Sequence, residues 1–107
     1  MAFSKANTFP APLFNQSIWA KARAHPARII ILNFLLENGT TSFRDLCGLI
    51  ALAKTTVSQH LRTLRILGFI EAEEHFPYTY YCINKKYYVD IAILISELNA
   101  QLKQKKR

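Results

Sequence analysis

The sequence predicts a mainly α-helical fold with one small β-hairpin, and three observations lead to this prediction. Apolar residues recur at helical spacing in several segments of the 107-residue chain. Residues 69–83 are instead rich in β-forming side chains. Gly39 and Gly68 stand where helical patterns stop, as expected for helix C-termini. With 50% apolar residues, the chain can form one modest core, but not a core together with a deep substrate cleft.

The N-terminal third predicts an irregular arm followed by two helices. Two of the four prolines lie in residues 1–12, which indicates the arm. A short apolar stripe over residues 13–24 predicts a first helix with Leu13, Phe14, Ile18 and Trp19 on one side. Pro26 suits a helix start and Gly39 a helix stop, so a second helix should lie between them. Because that helix has almost no polar side, we expect it at the centre of the core.

Residues 42–64 predict two short amphipathic helices around a four-residue connection, the arrangement of a helix-turn-helix. Each segment has one apolar stripe at helical spacing, made by Phe43, Leu46 and Ile50 and then by Val57, Leu61 and Leu64. Ser42 with Asp45 three residues later fits an N-terminal capping pattern for the first helix. The second helix has only Ala53 at the capping position, so it should start at Lys54 or Thr55.

The second helix of this pair carries a polar face suited to the DNA major groove. We predict that its DNA-binding residues are Lys54, Thr55, Thr56, Ser58, Gln59 and Arg62. Residues 44–65 contain four cations against Asp45 alone, and the whole chain has a net charge of +7. Duplex DNA carries one negative charge per about 1.7 Å of its axis and therefore attracts a surface with an excess of cations. The expected partner is therefore a double-stranded DNA operator.

The β-forming segment after Gly68 predicts a hairpin whose tip is His75-Phe76-Pro77. Glu73 and Glu74 precede this tip, and their carboxylates would oppose contact with phosphate. Whether the hairpin touches DNA stays open. Phe76 could also serve as an apolar wedge or as a contact to another protein.

The last helix predicts a dimer. Its apolar residues follow a spacing of 3, 4, 3 and 4, which is typical of a coiled-coil seam, and they are Tyr88, Ile91, Ile95, Leu98 and Leu102. The final turns extend past the rest of the domain, so we expect the seam to hold a homodimer. The domain would then span residues 13–103, and residues 104–107 would form a basic tail.

Over about residues 24–103 the chain resembles the ArsR/SmtB family of winged helix-turn-helix repressors. Residues 24–28 resemble the A-D-P-x-R opening of the family's second helix, with His25 in place of the usual acid. Residues 45–46 and 56–64 match its D/E-L and T-V-S-x-H-L-x-x-L patterns, and residues 68–71 and 80–81 match its two wing strands. The resemblance implies a homodimeric repressor that places two recognition helices in successive major grooves of a pseudo-palindromic operator. The operator, any inducer and the choice between repressor and activator stay open.

The metal sites known in this family have no counterpart in the sequence. Metal-sensing members often carry C-V-C where this chain has Ser42, Phe43 and Arg44, and the last helix has Asp90 and Glu97 but no histidine. We therefore expect no metal and no other cofactor. Cys47 matches a cysteine of some arsenic-responsive members but lacks partner thiols. A redox-responsive repressor that uses Cys47 and Cys82 remains an alternative.

Other classes of function find little support. There is no glycine-rich phosphate loop and no nucleophile motif, so we expect no enzyme. No apolar run approaches the about 20 residues of a membrane span, and no signal peptide is evident, so a cytoplasmic protein is expected. The remaining alternative is a winged helix that binds a protein through its acidic hairpin and has slight DNA affinity.

His60 adjoins the apolar stripe and is either a packed structural histidine or a phosphate contact.

Overall fold

The computed structural model describes residues 16–105, and the side chains of residues 19–100. The elements are α1 (Gln16–Arg23), α2 (Pro26–Asn38), β1 (Thr41–Ser42), α3 (Phe43–Leu49), α4 (Lys54–Leu67), β2 (Ile70–His75), β3 (Tyr78–Ile83), a 3₁₀ turn (Lys85–Tyr87) and α5 (Tyr88–Lys105). The prediction of a mainly α fold with a β-hairpin wing is confirmed. The predicted arm, the side chains of Leu13, Phe14 and Ile18, and the end of the basic tail lie outside the described residues.

The helix ends lie where the local chemistry predicts them. Ser42 caps α3, because its hydroxyl accepts a hydrogen bond from the Asp45 amide at 3.1 Å. The cap of α4 is Ala53, which makes no side-chain capping bond, and the helix begins at Lys54. Gly68 ends α4 in the left-handed region at φ 91°, a conformation that costs glycine little.

The wing belongs to a three-stranded antiparallel sheet in the order β1-β3-β2. Strands β2 and β3 pair from Ile70 with Ile83 to His75 with Tyr78, so the turn between them is Phe76-Pro77. The sequence did not predict β1, because two residues are too short to show an alternating pattern. The pairing of Ser42 with Tyr80 ties the start of α3 to the wing.

Helix α2 forms the centre of the core, as its apolar sequence predicts. Its Ile31, Leu32 and Leu35 are almost completely buried. The buried side chains around them come from α3, α4, the strands and α5, and include Leu46, Val57, Leu61, Leu64, Phe69 and Ile91. Trp19 of α1 closes the core by stacking on Phe69, with 4.5 Å between the ring centroids.

The predicted seam on α5 needs a correction. Ile91 and Ile95 are only 0% and 6% exposed, because α5 packs against α2 and buries them in the core of the same chain. They are therefore not available to a partner. Tyr88 is partly exposed and its hydroxyl donates to the Leu36 carbonyl at 3.5 Å, while Leu98 is half-buried. The side chain of Leu102 lies outside the described residues.

The capping bond of α3 gives a first prediction. Ser42→Ala should lower the free energy of unfolding by about 0.5 to 2 kcal/mol, because the Asp45 amide loses its acceptor. Urea unfolding followed by circular dichroism, at fixed protein concentration, measures the change. Ser58→Ala, at an exposed serine within helix α4, is the matched control and should change the free energy by less than about 0.5 kcal/mol. Equal effects of the two substitutions would contradict the capping role.

Candidate nucleic-acid interface

Packing of α4 on the core determines which of its faces is exposed. Val57, Leu61 and Leu64 are buried, and the 3.6-residue period turns the opposite side outward. Five of the six predicted DNA-binding residues are exposed there: Lys54, Thr55, Ser58, Gln59 and Arg62. Thr56 lies at the edge of this face and is half-buried. The structure thus brings the predicted residues together on one continuous helix surface without a carboxylate.

One flank of this face borders an open cleft between α4 and the start of α2. The cleft has a volume of about 630 Å³ and is lined by His25, Arg28, Thr56, Gln59, His60, Arg62, Thr63 and Ile66. Arg28 holds the two helices together there, because its Nε donates to Nδ1 of His60 at 3.2 Å. Its Nη1 also donates to the Lys21 carbonyl at 2.6 Å. The same guanidinium therefore joins α1, α2 and α4.

The histidines of the cleft lie close to each other and to a cation. The rings of His25 and His60 have their centroids 5.1 Å apart. The pKa of His60 lies below its ordinary value, first because burial disfavours the charged ring and then because of Coulombic repulsion from Arg28 and, to a smaller degree, His25. An imidazole whose Nδ1 accepts a hydrogen bond is neutral and carries its single ring proton on Nε2. We missed Arg28 as a partner of His60 because the two residues are 32 positions apart.

The opposite flank of α4 meets the acidic wing. Arg65 lines a small depression together with Glu71, Glu73 and Cys82. Glu73 and Glu74 are exposed, and Nε2 of His75 lies 3.6 Å from a carboxylate oxygen of Glu73. At the tip, Phe76 is 98% exposed. The wing therefore places carboxylates beside one flank of α4, whereas the residues that line the cleft on the other flank include no acid.

The two cysteines do not form a pair. Cys47 packs on the core together with Tyr81, and side chains alternate along β3, so Cys82 points to the other side of the sheet. Both thiols are free. Burial, with the charges of Glu71 and Glu73, raises the pKa of Cys82 and disfavours its reactive thiolate. This geometry does not favour a disulfide between Cys47 and Cys82, and the alternative of a redox-responsive repressor that uses these two residues stays a prediction.

Helix α5 leaves an apolar stripe on the surface, opposite its buried side. Val89 and Ile93 are 67% and 52% exposed and lie one turn apart. The small residues Ser96 and Ala100 continue the stripe by the same spacing and are exposed as well. These positions lie on the exposed side of α5, whereas Ile91 and Ile95 pack on the core.

Metal-binding clusters and membrane-spanning helices are both absent from the part of the chain that the structure describes. No group of three or more His, Cys, Asp or Glu side chains in that part is placed to hold a metal ion. Nor does any helix among residues 16–105 combine the length and apolar character that crossing a bilayer requires.

Comparisons with known proteins agree with this geometry. A family model described as "Bacterial regulatory protein, arsR family" matches residues 25–72. An uncharacterised HTH-type transcriptional regulator of Methanocaldococcus jannaschii is 30% identical over 78 residues, which cover 73% of this chain and 88% of that protein. The crystal structure of M. tuberculosis Rv0081 aligns with a TM-score of 0.71 and 27% identity, over 89% of this chain and 96% of that chain. The transcriptional repressor PagR of Bacillus anthracis aligns with a TM-score of 0.62 and 30% identity, over 77% of this chain and 94% of that chain.

The residues before Asp45 generate a prediction about metals. Ser42 caps α3 and Arg44 brings a positive charge, so the reduced protein should bind Zn²⁺, Cd²⁺ or arsenite more weakly than about 1 µM. Isothermal titration calorimetry measures this. The double variant Ser42→Cys with Arg44→Cys is the positive control, since it supplies two thiols and removes the cation. A stoichiometric, submicromolar complex with the unmodified protein would contradict the prediction.

Proposed function

The chain belongs to the arsR family of bacterial regulatory proteins, and from this premise we propose that it is a homodimeric repressor that reads an operator with α4. The family consists of transcriptional regulators. The main support for operator reading by α4 is its exposed face, where hydrogen-bonding groups and two cations occur without a carboxylate. Such a face complements both base edges and the phosphate backbone.

Different residues of this face suit different parts of the DNA. Gln59 and Arg62 lie at its centre, and their side chains can pair with adenine and with guanine through two hydrogen bonds each. Lys54 lies at the first turn, where the positive end of the helix dipole also attracts phosphate. We therefore assign sequence reading to Gln59 and Arg62, and affinity without sequence preference to Lys54.

These roles predict different effects of single substitutions. Gln59→Ala or Arg62→Ala should reduce the preference for the operator over scrambled DNA by about 1 to 3 kcal/mol. Lys54→Ala should weaken binding to both DNAs equally and reduce the slope of log K against log salt by about 0.9 for each protomer. The operator is first isolated by sequencing the genomic fragments that the purified protein retains. Competition binding at two salt concentrations then measures both quantities.

Lys86→Ala is the matched control for lost charge, because Lys86 is exposed in the 3₁₀ turn before α5 and lies beside the Tyr87 ring. It should leave the specificity ratio and the salt slope almost unchanged. If both Gln59→Ala and Arg62→Ala preserve the specificity ratio, α4 is not the reader.

The exposed stripe of α5 supports the homodimer. Val89 and Ile93 expose apolar area that a second copy of the chain would bury. A two-fold dimer carries two α4 helices, which can enter major grooves about 34 to 36 Å apart on one side of the duplex. Occupancy of such a site would block transcription in the cytoplasm, and the similar protein PagR is named a transcriptional repressor.

The dimer proposal predicts that Ile93→Glu gives a folded monomer. The exposed position tolerates a charge in the monomer, but a dimer would have to bury it, and operator affinity should fall together with the dimer. Light scattering coupled to size exclusion measures the mass, and circular dichroism checks the fold. Ile95→Glu is the contrasting variant, because it places a charge in the core and should unfold the protein. A dimer that persists in Ile93→Glu would show that the interface lies elsewhere.

The acidic wing supports a second candidate function, the binding of another protein. Phe76 is 98% exposed at the tip, and the carboxylates of Glu73 and Glu74 flank it. A basic partner with an apolar pocket would fit this surface. The two functions are distinguished by gel-shift binding to genomic fragments at moderate salt: retention of specific fragments supports the repressor, and its absence favours the protein partner.

A further inference from the structure

The cleft between α2 and α4 has an unusual concentration of positive groups. The side chains that face His60 there are His25 and Arg28 from the start of α2, with Arg62 on α4 itself. From the part of α1 whose side chains are described, the main-chain carbonyl of Lys21 takes part, through its bond to Arg28. None of the described residues that line the cleft is acidic. The cleft therefore lacks an internal counterion.

The hydrogen-bond capacity of the cleft is also incompletely used. A guanidinium has five N–H donors, and the structure shows two hydrogen bonds from Arg28, to His60 and to Lys21. Three donors are left without a partner among the described residues. His25 precedes α2 as its N-cap, but its side chain does not cap the helix amides. Arg28 and His25 both line the cleft, which is open to solvent, so an oxyanion that entered it would meet hydrogen-bond donors.

The contact between Arg28 and His60 exists in only one protonation state. Nδ1 of His60 accepts the hydrogen bond from Nε of Arg28, which requires that this nitrogen carry no proton. A proton on Nδ1 would place two donors face to face. An anion between them would accept from both and remove the conflict.

We propose that this cleft binds one phosphate of the DNA backbone, and that the imidazole of His60 takes up a proton when it does so. The inference rests on the proposed function, since it assumes that α4 reads DNA. Gln59 and Arg62 belong both to the reading face and to the lining of the cleft, so DNA in contact with α4 passes its opening. In the complex, the phosphate accepts hydrogen bonds from the guanidinium of Arg28 and from the protonated ring of His60. His25 lies close enough to add a third donor.

The direction of the pH dependence follows from proton linkage. In the free protein the pKa of His60 is lowered by burial and by the charges of Arg28 and His25, so the ring is neutral near pH 7. A bound phosphate raises that pKa, and the complex then holds more protons than the free protein. Operator affinity therefore rises as pH falls through the interval between the pKa of the complex and that of the free protein, and it is constant outside this interval.

Fluorescence anisotropy with the operator duplex, from pH 5.5 to 8.5 at constant ionic strength, tests the proposal. The dissociation constant of the unmodified protein should fall with falling pH by up to about tenfold per pH unit for each protomer bound. His60→Gln should remove most of this slope, since the amide accepts from Arg28 but does not titrate. His75→Gln is the matched control, because His75 lies on the wing beside Glu73, and it should keep the slope.

A second measurement needs no variant. The pKa of His60, followed through its ring proton resonances by NMR, should increase when the operator is added. Duplexes with a neutral methylphosphonate at one position at a time identify the phosphate, because one of them should lose the pH slope. Inorganic phosphate at micromolar concentration should leave the His60 resonances unchanged. If it shifts them to saturation, the site serves a small oxyanion and the assignment to DNA is overturned.

The outcomes separate this inference from the function on which it rests. Operator binding without a pH slope, or a slope that His60→Gln preserves in a folded protein, overturns the His60 site and leaves the repressor proposal intact. Absence of operator binding at every pH overturns both. A slope that disappears in His60→Gln and with one methylphosphonate supports the site.

Discussion

The burial of α2 is the constraint on which the rest of the structure depends. Ile31, Leu32 and Leu35 occupy the centre of the core, and every other element packs around them. Helix α4 meets this core through a narrow stripe of Val57, Leu61 and Leu64, which fixes its rotation about its own axis. The face that can read DNA is therefore set by what the core requires. A substitution in the core that rotated α4 slightly about its own axis would alter the DNA-reading surface, although no residue of that surface had been substituted.

The sequence predicts those elements of the fold that a strong local pattern determines. The stripe of α4, the capping serine of α3 and the glycine at the end of α4 were all predicted, because each acts over a few residues. Of the predicted seam on α5, Ile91 and Ile95 pack on the chain's own core, since the spacing of the apolar residues is the same whether a helix packs on its own core or on a partner. Strand β1 and the contact between Arg28 and His60 were missed because both depend on residues distant in sequence.

Charge divides the surface around α4 into two unequal parts. The wing places Glu71, Glu73 and Glu74 on one flank, where repulsion opposes a phosphate backbone. The flank formed with α2 presents Arg28 and two histidines. DNA bound to α4 would therefore be attracted to the α2 side and kept away from the wing. This asymmetry also leaves Phe76 free at the end of the wing for a contact of another kind.

Protonation of His60 links the stability of the protein to its proposed affinity for DNA, in opposite directions. The pKa of His60 is lower in the folded chain than its ordinary value of 6.5. The unfolded chain therefore binds more protons in the interval between the two pKa values, and the folded state loses stability as pH falls through it. A bound phosphate reverses this effect, because it favours the protonated ring. The contribution of His60 to the stability of the free protein is then smallest under the conditions in which its proposed contribution to operator binding is largest, so DNA would offset this loss at acidic pH.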